Sequence, residues 1–295
     1  MSLARRPLFA GGPTVSALGF GAGHIGGEAM TEDHAGWLLN AAVDRGVTLI
    51  DTARGYGLSE QRVGRHLSYR RGDFTLVSKC GYGIPGQADW TGACITAGVD
   101  AALGHLHTDH VDGMLLHSCP REVLERGEVI DALDRAVQAG KVRWIGYSGE
   151  NDDLAFAVHS GRFRVVEASV NVCDQRVLDQ LAPEIVRRGM GLIAKRPLAN
   201  APWRFQERPV GQYVEPYWER YRAMGLDGGG IAEDEQALRF AAFAPGVSVA
   251  IAGTASLDNL SRNVEMVERG ALPDARVAEL RSAFKTSDRE WVGQV

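Results

Sequence analysis

Residues 47–66, VTLIDTARGYGLSEQRVGRH, decide how the rest of the chain is read. Val47, Thr48, Leu49 and Ile50 make a short buried strand that ends on a carboxylate, Asp51. A tight loop then carries Arg54 and Tyr56, and a helix opens at Ser59, whose hydroxyl suits an N-cap because it can satisfy a free N–H of the first turn. A carboxylate at the end of a buried strand is costly unless a positive group meets it. The stretch therefore predicts a partner elsewhere, and Lys79 in FTLVSKC is the first candidate.

Outward from that strand, the chain alternates. Strand-like apolar runs fall at 17–21, 47–51, 74–79, 111–117, 142–148, 165–171, 191–197 and 247–252. Helical spacing fills the gaps at 31–45, 59–68, 91–106, 121–139, 151–160, 175–189, 231–244 and 256–268. Strands that are apolar throughout and joined by helices imply a parallel sheet covered on its outside. Eight such units match an α/β fold of the (β/α)₈ barrel type. Residues 6–16, RPLFAGGPTVS, read as a small N-terminal hairpin, and 274–284 as an additional helix. No composition shift divides the chain, so residues 1–295 are expected to form one domain. One stretch breaks the rhythm. Residues 198–230 are rich in aromatics and are expected to lie over the barrel mouth, with a helical turn near 217–224.

Composition narrows the function. The 295 residues are 45% hydrophobic and 23% charged, ordinary for a soluble globular protein, and the net charge is −5 with no basic block. That argues against nucleic acid or an anionic membrane as partner. The four cysteines, Cys80, Cys94, Cys119 and Cys173, have no C-x-x-C or zinc-finger spacing. With no signal-peptide h-region at the start, they read as reduced thiols of a cytoplasmic protein. His105, His107, Asp109 and His110 cluster where a helix meets its loop, and no metal site is expected. Of 32 basic residues only four are lysines, and two of these, Lys79 and Lys195, sit at the ends of apolar runs. Lysine is ordinarily solvated, so both placements need a reason.

Gly21-Ala22-Gly23-His24-Ile25-Gly26 spells the G-x-G-x-x-G of a doubly wound dinucleotide-binding fold. The helix should then begin within the motif, yet the better helix start is Thr31, and a chain with 36 glycines produces the pattern easily.

In a barrel, chemistry gathers where strands end. Asp51, Tyr56, Lys79 and His117 all fall at or beside such ends. Here the chain resembles the aldo-keto reductase family, through GVTLIDTARGYGLSEQRVGRHL, FTLVSKC, HVDGMLLH, VRWIGYSG and VAIAGTASLDNLSRNVE. The order and spacing fit across nearly the whole chain. The resemblance implies a (β/α)₈ barrel, a catalytic tetrad of Asp51, Tyr56, Lys79 and His117, and NAD(P)H-linked reduction of a carbonyl or its reverse.

Such a reaction explains the residue types. Hydride transfer leaves charge on the carbonyl oxygen, so an acid must supply a proton. Free tyrosine, with a pKa of about 10, is a weak donor. Lys79 is expected to lower that value, Asp51 to hold Lys79, and His117 to orient the oxygen. The same resemblance seats the cofactor on Gly21, Ala22, Gly23 and Asp51, and puts its carboxamide at Ser148, beside Gly149. Glu167 stands where a glutamine is usual and can accept but not donate. Lys195 replaces a stacking tyrosine; with Arg196, Pro197 and Leu198 it would border the pyrophosphate. Gly253, Thr254, Asn259, Arg262 and Asn263 match the adenosine-phosphate site and imply NADP, with NAD possible. The expected substrate is a small carbonyl or alcohol, in a pocket walled by Tyr82, Trp90 and the 198–230 stretch. A regulatory nucleotide-binding subunit of the same fold is the competing role.

Overall fold

The computed structural model describes residues 2–226 and 229–295; Met1 and, within the 198–230 stretch, Asp227 and Gly228 lie outside them. Among the described residues ten strands follow in chain order: β1 (Arg5–Pro7), β2 (Thr14–Ser16), β3 (Leu18–Gly21), β4 (Leu49–Asp51), β5 (Thr75–Cys80), β6 (Val111–His117), β7 (Val142–Ser148), β8 (Val165–Ser169), β9 (Gly191–Lys195) and β10 (Val249–Ala252). From β3 onward each pairs in parallel with the next, and β10 returns to β3, closing an eight-stranded barrel. Parallel neighbours need a crossover, and helices supply it on the outside, which is why the strands are apolar on both faces.

The first two strands form the antiparallel hairpin expected from residues 6–16. Leu8 and Val15 are fully buried and join Leu49, Val77, Leu115, Trp144, Val165, Ile193, Val249 and Ile251 in a separate inner cluster. The Leu8 carbonyl presses so closely on Gly191, at the start of β9, that a Cβ there would lie 2.3 Å away. The hairpin thus plugs the barrel at the N-terminal ends of its strands.

The glycine-rich loop has a structural purpose. Residues Ala22–Ile25 form one 3₁₀ turn, and the following helix begins only at Glu32, capped by the Thr31 hydroxyl, which accepts from His34 N at 3.3 Å. A Cβ on Gly26 would sit 1.7 Å from the Tyr56 carbonyl, and Leu58 N donates to the Gly26 carbonyl at 3.0 Å. Glycine lets this loop lie against the one that carries Tyr56. The doubly wound reading is excluded by the closed barrel.

Other local expectations shift. Ser59 is the first residue of helix Ser59–Leu67 rather than its cap, because its hydroxyl donates to the Ala22 carbonyl and meets Thr52 Oγ1, each at 2.8 Å. The segments expected at 121–139 and 175–189 are each two helices, broken at Gly127 and Leu181. The 198–230 stretch contains a 3₁₀ turn, Pro202–Arg204, and a helix, Glu215–Met224. Among the described residues no helix is long and apolar enough to cross a membrane.

Candidate active site

Side chains of a strand alternate between faces, so residues two apart point the same way. Two positions beyond the inward-facing Leu49, Val77, Leu115, Val165 and Ile193 come Asp51, Lys79, His117, Glu167 and Lys195. These five stack as a polar layer on the apolar one, at the C-terminal end of the barrel. Cross-strand register places His117 beside Ser148, and Ser148 beside Glu167.

Lys79 is the centre of that layer. Its side chain is 0% exposed, and its ammonium donates to both Asp51 oxygens at 2.6 Å and to the Thr52 carbonyl at 3.2 Å. Glu167 Oε2 lies 3.3 Å from the same nitrogen as an ion pair, and Glu167 Oε1 accepts from Ser148 Oγ at 3.0 Å. Two buried carboxylates share one ammonium. Burial, then the charge of Glu167, hold the Asp51 carboxyl well above its ordinary range, against the pull of Lys79. Burial alone would also raise Glu167, but Lys79 and then Lys195 outweigh it and bring it below its usual value. For Lys79 burial works downward, and the surrounding acids more than reverse it, so the ammonium stays charged.

Tyr56 lies over this group, its ring centroid 5.2 Å from Lys79 Nζ and edge-on to His117 at 5.7 Å. Its hydroxyl does not follow the expected shift. Burial pushes it up to about 12; Lys79 pulls down, but Asp51 and Glu167 push back. The ammonium acts in the expected direction, but burial outweighs it and the acids that hold it oppose it. His117 is pushed down to about 3, first by burial and then by Lys79, so it is neutral at pH 7. Its Nδ1 meets the Tyr82 hydroxyl at 3.0 Å, and the two rings stack 26° from parallel. Trp90 packs edge-on against Tyr82. Neither Tyr82 nor Trp90 borders the cavity, contrary to the expected aromatic wall; they back His117 instead.

A cavity of about 870 Å³ opens above the polar layer. It is bordered by Gly21, Gly23, Asp51, Tyr56, His117, Ser148, Glu167, Lys195, Arg196, Pro197, Leu198, Gly253, Thr254 and Asn259. Ala22, Gly149, Arg262 and Asn263 do not border it. Ala22 is fully buried, and Arg262 is turned away, bound to Asp234 at 2.5 Å. Arg262 thus stands on an exposed ion pair beside the site rather than on the cavity wall. Lys195 and Arg196 reach the cavity but are not free: Glu150, 1% exposed, pairs with both at 3.2 and 3.3 Å.

Several bordering residues were not anticipated, among them His24, Ser118, Asn200, Arg204, Gln212, Tyr213 and Val295. Most belong to the 198–230 stretch, whose aromatics largely pack on themselves. Trp203 meets Tyr221 at 6.0 Å, Trp218 Nε1 donates to the Phe205 carbonyl, and Tyr217 is fully buried against Asp174. Only Tyr213 of that aromatic set reaches the cavity. Of the cluster His105, His107, Asp109 and His110, His105 meets Glu60 at 3.1 Å and His110 meets Asp109 at 2.6 Å.

Comparison with known proteins agrees with this architecture. A family model described as the aldo/keto reductase family matches residues 17–285. L-galactose dehydrogenase of Arabidopsis thaliana is 31% identical over 203 residues, spanning 64% of this chain and 63% of that protein, a little under two-thirds of its length. D-threo-aldose 1-dehydrogenase of a Pseudomonas species is 26% identical over 260 residues, 75% of this chain and 79% of that one. Among solved structures, an aldo-keto reductase from Bacillus halodurans in its holo form superposes with a TM-score of 0.85 at 25% identity, covering 98% of each chain. With the family model spanning all eight barrel strands, the chain belongs to the aldo/keto reductase family.

Proposed function

We propose that residues 1–295 form one catalytic domain, an NAD(P)H-linked oxidoreductase that interconverts a carbonyl and an alcohol. The observation that carries this reading is the convergence of Asp51, Lys79, Tyr56 and His117, with a fully buried ammonium 2.6 Å from both oxygens of its carboxylate. A buried charge is kept only where it is paired and hydrogen-bonded, and this one underlies a phenol that borders an open cavity.

The cavity suits a nicotinamide cofactor. Glu167 Oε2 is buried with no hydrogen-bond donor, an acceptor ready for a carboxamide NH₂, and Ser148 stands beside it. Gly253, on the cavity border, lets its loop pack closely on the opposite wall, because a Cβ there would lie 2.7 Å from the Gly21 carbonyl and from His24. The cofactor, when bound, gives or takes the hydride. Tyr56, protonated at neutral pH, donates the proton to the developing alkoxide, and neutral His117 donates a second hydrogen bond to the same oxygen. Lys79 keeps the field at Tyr56 favourable as its proton leaves, and Asp51 keeps Lys79 in place.

NADP is the preferred form, by a small margin, with NAD usable. Gly253, Thr254 and Asn259 border the cavity where helix Leu257–Glu268 opens. Such an N-terminus favours an anion by about 0.3–1 kcal/mol. The substrate is a polyhydroxylated one of the aldose type. Ser118, Arg204 and Gln212 offer polar atoms along the wall, and Asn200 Nδ2 is buried without an acceptor. The two sequence relatives are named for sugars of this kind.

Tyr56→Phe tests the reading. Turnover of aldoses, aldehydes and ketones, assayed in both directions, should fall by about 10²–10⁴-fold while cofactor affinity by fluorescence quenching is kept. Retention of most of kcat would remove Tyr56 from its assigned role.

A further inference from the structure

We infer that Glu167 sets the redox preference of the site, favouring the oxidised, positively charged nicotinamide over the reduced, neutral one. The inference rests on the reading that the cavity seats a nicotinamide.

The geometry is a charge imbalance with a direction. At the barrel floor, Asp51 and Glu167 share one cation, Lys79, and the ammonium is turned to Asp51 and the Thr52 carbonyl. Glu167 receives its attraction at 3.3 Å without a donated hydrogen bond, and its Oε2 is left without a donor. The nearest further cations, Lys195 and Arg196, are held by Glu150 rather than by Glu167. There the imbalance is opposite, with two cations on one carboxylate. The floor thus presents Glu167 with one oxygen that receives no hydrogen bond, and surplus positive charge lies at the end of β9. An oxidised dinucleotide has the complementary polarity, a cationic ring and anionic phosphates.

The imbalance is already strained. Burial and the Glu167 charge hold Asp51 above its ordinary range, so the floor resists carrying both negative charges at once. A cation bordering Glu167 relieves that repulsion, whereas a neutral ring does not. A glutamine at the same position would accept the same hydrogen bond but supply no charge. Among bound states the equilibrium is therefore drawn toward carbonyl reduction, the direction that leaves the oxidised cofactor. In that direction the carbonyl carbon would take a hydrogen with both bonding electrons from the reduced ring and its oxygen would take the Tyr56 proton, leaving an alcohol, an oxidised cofactor and a Tyr56 phenolate over Lys79. The overall equilibrium in solution is unchanged, and only the equilibrium among bound states moves.

Glu167→Gln tests this through binding alone. Titrating oxidised and reduced cofactor separately, by tryptophan fluorescence or calorimetry, gives the ratio of their dissociation constants. The parent protein should hold the oxidised form at least as tightly as the reduced one. One unit charge at close range in a partly screened site predicts that the variant shifts this ratio about tenfold toward the reduced form. By the thermodynamic cycle, that raises the potential of the bound two-electron couple by about 30 mV. Glu167→Met, also neutral, should shift it the same way. Ser148→Ala keeps the charge and should weaken both forms alike, leaving the ratio near that of the parent. An unchanged ratio in folded Glu167→Gln or Glu167→Met, or tighter binding of the reduced form by the parent, overturns the inference while leaving the proposed function standing. If the parent binds neither form, the nicotinamide reading fails and the inference with it.

Discussion

Leu49, Val77, Leu115, Val165 and Ile193 point into the barrel, and one pleat further along the same strands stand Asp51, Lys79, His117, Glu167 and Lys195. The two layers share a backbone and differ in what they ask of it. The lower one is closed beneath by the hairpin, with Leu8 and Val15 among its members, and is stabilised by apolar area removed from water. The upper one buries charges that would be costly singly and holds them by mutual contact. It also keeps polar atoms without partners, Glu167 Oε2 at the floor and Asn200 Nδ2 on the wall. The difference teaches that stability and chemistry are separated here by two residues along a strand rather than by separate domains.

The sharpest way to break this comparison is Lys79→Met. It strands Asp51 and Glu167 in a dry site, so it should cost about 3–5 kcal/mol in denaturant unfolding as well as nearly all activity. Combining it with Asp51→Asn should recover part of the stability and none of the activity. Strictly additive losses in that cycle would show the pair to be uncoupled. The matching change in the lower layer is Leu8→Ala, which should cost about 2–5 kcal/mol by leaving a cavity in the plug. Its kcat, measured well below the melting temperature, should stay near that of the parent. A large fall in kcat would mean the layers are coupled.

A milder effect comes from pH. His117 is held near 3 in the folded chain against an ordinary 6.5, so between those values the unfolded chain binds a proton that the folded one does not. Its contribution to stability is complete above about 6.5 and is lost as pH falls toward 3. Asp174, pushed up to about 7, acts with the opposite sign, its contribution being lost as pH rises through that value. The test is therefore a difference: His117→Gln should lose less melting temperature than the parent between pH 6.5 and 4. Equal losses would place His117 outside this balance. The smallest effect is expected from Arg262→Ala. Because Arg262 is paired with Asp234 away from the cavity, affinities for NADPH and NADH should change less than about twofold, within the range of an exposed ion pair. A selective loss of NADPH binding would put Arg262 back at the phosphate.

The barrel was legible because its signals are local and repeated. Apolar strands end in Asp51, Lys79 and His117, and helical spacing lies between them. The floor of the site could be read for the same reason, since a period of two along a strand fixes which residues share a layer. The roof could not. Asn200, Arg204, Gln212 and Tyr213 reach the cavity through turns with no period, and Arg196, Asn200 and Ala201 adopt left-handed backbone that side chains do not announce. The acidity of Tyr56 was misjudged for another reason. The Lys79 charge is visible in the sequence, but the burial of the hydroxyl and the opposing charges of Asp51 and Glu167 depend on distances in three dimensions.

The helix Glu215–Met224 and the turn before it share contacts of their own, Trp203 on Tyr221, Trp218 on Phe205, Arg222 on Trp218 and on the Phe205 and Gln206 carbonyls, and are anchored to the rest of the chain through Tyr217 on Asp174 and Arg220 on the Cys173 and Val292 carbonyls. A segment with its own internal packing and a few named anchors can be exchanged as a cassette wherever those anchors are kept. Recombination can lengthen, shorten or replace it while the strand layers keep their register. Substrate range can thus drift by insertion and swapping in this one place, with the proton-handling floor inherited unchanged.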